Sequence, residues 1–112
     1  MHALRLGDTV WIAHAFEYSA EQSRRLKQRA RKRGYRLQIT SSNGTHHFYV
    51  VPEDAFDEPG YEGGMTAFGP GLTAYLDRIT EQLGDALAAL GTEAAAAVRF
   101  DLGAPGESPA SR

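Results

Sequence analysis

The chain has 112 residues, 42% hydrophobic and 23% charged, the balance of a globular domain rather than a disordered one. It has no cysteine, which excludes disulfides, thiolate metal sites, iron–sulfur clusters and a cysteine nucleophile. The net charge of −2 conceals a split: residues 1–50 carry nine Lys or Arg against three carboxylates, and residues 51–112 carry three against eleven.

The opening segment MHALRLGDTV lacks the basic-then-apolar pattern of a signal peptide. No apolar run approaches the roughly 20 residues that span a bilayer. The expectation is a cytoplasmic protein that makes no membrane contact. Thr9–Ala13 is short, apolar and β-branched, and predicts a buried strand. Ser19 followed by Gln22 is a capping box, so a helix should start there and stop at Gly34. Its apolar face is thin (Ala20, Leu26, Ala30). Seven of the nine cations of the first half lie on it: Arg24, Arg25, Lys27, Arg29, Arg31, Lys32 and Arg33.

Residues 35–42 and 45–51 alternate in polarity around Asn43-Gly44, a pair suited to a type I′ hairpin turn. That hairpin would put Leu37 and Ile39 with Val50 and Phe48 on one face, and Gln38 and Thr40 with Tyr49 and His47 on the other. Residues 52–69 form a long Gly-, Pro- and acid-rich connection that also carries Phe56, Tyr61, Met65 and Phe68. Residues 70–90 show a helical stripe, with Gly84 marking close packing. Residues 96–102 alternate as a last strand.

The order βαββαβ predicts an α+β, ferredoxin-like split βαβ sandwich: a four-stranded antiparallel sheet, order 4-1-3-2, with two helices on one face. Residues 1–102 would form that domain and 103–112 a disordered tail. The uncovered sheet face would carry Trp11, Ala13, Arg36, Gln38, His47, Tyr49, Arg99 and Asp101.

Catalytic and metal motifs are missing. His46 and His47 are adjacent, so on a strand they diverge. No serine sits in G-x-S-x-G, and no glycine cluster forms a nucleotide-binding loop. No catalytic residue, metal or cofactor is therefore expected. The reading is a small non-enzymatic regulatory or inhibitor-like protein that binds another macromolecule, a protein or a second copy of itself. Trp11, Arg36, His47, Tyr49 and Arg99 would form the contact, with Arg24, Arg25 and Arg29 as a second one, since aromatic rings and Arg are favoured in interface cores.

The same face resembles an RNA-recognition motif. Val10-Trp11-Ile12 is similar to that family's aromatic-centred first-strand motif. His47, Tyr49 and Val50 fall where its third-strand motif places two stacking rings and an aliphatic residue. The resemblance implies single-stranded RNA or DNA as the alternative partner. A further alternative is a small enzyme or ligand binder with residues 53–69 as a lid.

Overall fold

Gly7 and Asp8 join the first two strands, β1 (His2–Leu6) and β2 (Thr9–Ala13), which pair antiparallel with Leu6 opposite Thr9 and His2 opposite Ala13. Gly7 adopts φ +61°, as the first central residue of a two-residue type II′ turn does. The computed structural model describes residues 1–57, 59–90 and the backbone of 98–99.

After β2 come β3 (Glu17–Tyr18), α1 (Ala20–Lys32) and β4 (Arg36–Thr40). The Ser19 side chain accepts from the Gln22 N–H at 3.3 Å and the helix ends into Gly34 at φ +91°, as predicted, but the Gln22 side chain donates to Asp77 and the Ser19 N–H to the Val50 carbonyl, so only half of the capping box forms. Replacing Ser19 by alanine should cost about 1 kcal/mol in chemical denaturation. β4 pairs directly and in parallel with β2, so the first helix is a true βαβ crossover. β5 (Tyr49–Val50) pairs in parallel with β3. A single 3₁₀ turn, Glu53–Ala55, and a short helix, α2 (Tyr61–Gly64), precede α3 (Gly71–Ala89). The two-residue β6 (Val98–Arg99) lies antiparallel to β1, giving the sheet order β4-β2-β1-β6.

The architecture is α+β, but the sheet is not the ferredoxin-like one. The expected hairpin at Asn43-Gly44 does not form. Ser42 and Gly44 have φ +56° and +81°, whereas a type I′ turn needs positive φ at both Asn43 and Gly44. Residues 41–50 bond instead to the stretch that follows β2. Asn43 N–H donates to the His14 carbonyl (2.8 Å), His47 N–H to Ala15 (2.9 Å), and Glu17 N–H to Phe48 (3.0 Å). The place expected for the hairpin's second strand is taken by direct β2–β4 pairing. β1, read from sequence only as an opening segment, fills the other side of β2.

Alternate residues of the three long strands, Ala3, Val10, Ile12 and Leu37, are buried with Leu26 and Ala30 of α1 and with Leu76, Leu83 and Leu87 of α3. Both helices therefore cover one face of the sheet. Gly84 of α3 lies against Tyr35, where a Cβ would overlap the phenol. Gly84→Ala should destabilise by about 1–2 kcal/mol despite alanine's better helix propensity, read as a lower melting temperature. The Arg5 guanidinium reaches across the core to the last carbonyls of α3, at Ala88 (3.0 Å), Leu87 (3.3 Å) and Leu90. A cation at a helix C-terminus also meets the negative end of the helix dipole.

The opposite charges of the two halves meet between the helices. Arg29 of α1 binds Asp77 and Glu81 of α3, and Arg33 binds Glu81 and Asp85 at 3.0 Å each. Arg25 holds Glu21 and Asp54, and Arg24 holds Glu21. The two arginines on Glu21 hold its carboxyl down to about 2.

Candidate functional site

The sheet face away from the helices is bare among the described residues. β1 contributes His2, Leu4 and Leu6, β2 contributes Trp11 and Ala13, and β4 contributes Arg36 and Gln38. Register aligns Leu4, Trp11 and Gln38 in one row, and Leu6, Thr9 and Arg36 in the next. Leu4, Leu6 and Trp11 are 42%, 63% and 40% exposed. Three large apolar side chains on one small sheet face form a contiguous patch of the kind that marks an interaction site. Arg36 stands at its end, 3.8 Å from Asp8.

Of the residues expected on this face, Trp11, Ala13, Arg36 and Gln38 are there. The Arg99 backbone pairs with His2 at the β1 edge, and its side chain lies outside the described residues, as does Asp101. His47 and Tyr49 sit elsewhere, because the segment that carries them follows β3 instead of the sheet. The face is also more apolar than expected, since Leu4 and Leu6 belong to it. A strand–Gly-Asp–strand pattern could have revealed them, because Gly-Asp is a two-residue hairpin signal. Arg24, Arg25 and Arg29 are each engaged with the chain's own carboxylates. The basic helix is to that extent neutralised from within.

A second group of side chains gathers where parallel β2 and β4 end, the end at which open α/β sheets bind ligands. Glu17 and Tyr49 are register partners in the β3–β5 pair. The His46 Nε2 lies 3.5 Å from a Glu17 carboxylate oxygen. The Tyr49 ring meets Tyr61 edge-on at 5.7 Å and His46 at 6.4 Å. Phe16 packs on His47 and Phe68 at 5.6 and 5.8 Å. Desolvation and the neighbouring Glu17 carboxylate push the Tyr49 phenol up. Phe48, between these rings, adopts φ +64°, a strained conformation for a bulky side chain. Glu17 was not singled out in the sequence, and Tyr61 only as an apolar side chain of the 52–69 connection, because their place beside Tyr49 depends on the unforeseen β3–β5 pairing.

This group offers a carboxylate, an imidazole and two phenols, side chains suited to hydrogen bonding and proton transfer. No set of three His, Cys, Asp or Glu placed to hold a metal ion occurs among the described residues. Beneath the group, His14 is buried with its Nε2 3.0 Å from the Thr80 hydroxyl and its ring 4.7 Å from that of Tyr18. Burial, with a smaller contribution from the N-terminal amine, pushes its pKa down to about 4.

No protein family and no curated protein matches the chain. Solved structures do. The neutral ceramidase from Pseudomonas aeruginosa aligns with 77% of the chain at a TM-score of 0.66 and 20% identity. A ceramidase complexed with C2 aligns with 76% at 0.65 and 20%. The fold is similar to part of a ceramidase. At this identity the likeness concerns the fold alone, and the chain spans only 14% of the length of either structure. No helix among the described residues is long and apolar enough to cross a membrane.

Proposed function

We propose that the chain acts by binding another macromolecule, a protein, and that it does so as a non-enzymatic module seated on a larger protein body through its bare sheet face. The observation that carries this is the uncovered patch of Leu4, Leu6 and Trp11 on a single sheet face. Its support is that the same fold occurs as 14% of a longer chain, where so small a domain is one part of a larger whole. Arg36 would supply a polar rim contact; Arg24, Arg25 and Arg29 of α1, held by Glu21, Asp54, Asp77 and Glu81, would have to exchange those carboxylates for a partner's to supply a secondary one. A cysteine-free chain fits a cytoplasmic setting, where we place it.

The test is quantitative capture from the native host with wild type and with Trp11→Glu. A protein enriched on wild type and lost on the variant supports the reading. An identical set of proteins on both overturns it. Titration with mixed oligonucleotides at low salt, followed by Trp11 fluorescence, tests the nucleic-acid alternative. A salt-sensitive change there would replace the protein partner with a nucleic acid.

The strand-end group favours a second reading. Two proteins of similar fold are ceramidases, and Glu17, His46, Tyr49 and Tyr61 gather at the end of the parallel β2–β4 pair, the end that open α/β sheets use for ligands. In this reading the chain contributes these side chains to a site for ceramide that the larger body completes. Short-chain ceramide should then be turned over by the assembly and not by the chain alone. Glu17→Gln or Tyr49→Phe should lower that turnover with the assembly intact.

A further inference from the structure

Asn43 is the only asparagine in the chain, and glycine follows it. The hairpin that would have enclosed this pair does not form. Asn43 and Gly44 lie instead in the exposed 41–48 stretch. The Asn43 main chain is anchored, its N–H donating to the His14 carbonyl at 2.8 Å. Its side-chain Nδ2 donates to Thr40 Oγ1 (3.0 Å) and to the Ser41 carbonyl (2.9 Å). Gly44 is different: among the described residues its N–H has no acceptor, and there is open space around its Cα. A backbone nitrogen with no hydrogen bond, on a residue that has no side chain of its own, is free to attack the amide of a preceding asparagine.

We infer that Asn43-Gly44 is a site of spontaneous deamidation that loosens the loop bearing His46 and His47. The Gly44 nitrogen bonds to Cγ of Asn43, the Cγ–Nδ2 bond breaks, and the nitrogen leaves as ammonia with the proton that Gly44 gives up. The product is a cyclic succinimide. Water then opens it at the side-chain carbonyl to give aspartate, or at the main-chain carbonyl to give isoaspartate, in which the backbone runs through Cγ. No oxidant, metal or enzyme is needed.

A carboxylate has no N–H, so both side-chain donations from residue 43 are lost, and a negative charge faces the Ser41 carbonyl. Isoaspartate also lengthens the main chain between the anchors at residues 43 and 47, whose N–H groups bind His14 and Ala15. The loop that places His46 beside Glu17 would then be held less firmly.

The test incubates the purified full chain at mildly alkaline pH beside a synthetic peptide of residues 40–47, with peptide mapping by mass spectrometry. Aspartate and isoaspartate should appear at position 43 of the folded chain on the peptide's timescale, faster as pH rises, and Asn43→Gln should remain intact. Persistence of the Asn43 amide in the folded chain after the peptide has converted would overturn the assignment. Hydrogen exchange of Asn43→Asp tests the consequence. The His47 N–H should lose protection by about five- to tenfold, the effect of about one net hydrogen bond. Unchanged protection there would show that the loop does not depend on the amide.

Discussion

Lowering the pH from 6.5 to about 4 is expected to remove about 3 kcal/mol of stability through His14 alone. His14 is 1% exposed, between the Tyr18 ring and Thr80, with no carboxylate bonded to it to favour a charged ring. The folded state therefore holds the neutral imidazole, while the unfolded chain takes up a proton near the ordinary value. Below that value the unfolded state binds more protons, so stability falls with pH until the folded ring itself protonates. Above pH 6.5 the contribution is complete. Asp77, whose carboxyl burial pushes up from 3.8, acts with the opposite sign, and nearer its own range. Urea unfolding across this window should show the slope in wild type and lose it in His14→Gln, which can still bond to Thr80. An equal slope in both proteins would remove His14 as the cause.

Trp11→Glu should lower partner affinity by about 2–3 kcal/mol, some thirty- to more than a hundredfold, while changing folding stability by no more than about 0.5 kcal/mol. The asymmetry comes from exposure: Trp11 contributes little to the core but stands at the centre of the bare face, between Leu4 and Gln38. Leu6→Glu should act in the same direction, more weakly at the edge of the patch. Tyr75→Glu, at an exposed aromatic on α3, should leave binding unchanged. Equal losses in all three variants would point to general charge and not to this face.

Local signals were the legible ones. Ser19, Gly34, the α3 stripe and the close packing at Gly84 each depend on a few neighbouring residues, and each is found where the sequence places it, whereas the Gln22 side chain leaves the helix start for Asp77. The fold-level error came from one dipeptide. Asn43-Gly44 has the composition of a tight turn, but residues 14–18 offered the following segment a better set of backbone partners, 30 positions away. The Gly7-Asp8 turn carried a comparable signal, obscured because the strand before it mixes Ala3 and Arg5 on its buried side. Trp11 and Arg36 were placed correctly because β2 and β4 exist in either topology. The gathering of Glu17, His46, Tyr49 and Tyr61 depends on a parallel pairing that alternation alone does not encode.

The reach of Arg5 to the end of α3 bears on the order of folding. Its bonds to Leu87 and Ala88 join residues 82 and 83 positions apart, and β1 also takes β6 as its outer neighbour. The β2–α1–β4 unit closes a far shorter loop and can assemble on its own contacts. Loop-closure entropy therefore delays the docking of the first strand onto the last helix until the rest is in place. This junction should open first under denaturant and show the earliest loss of exchange protection.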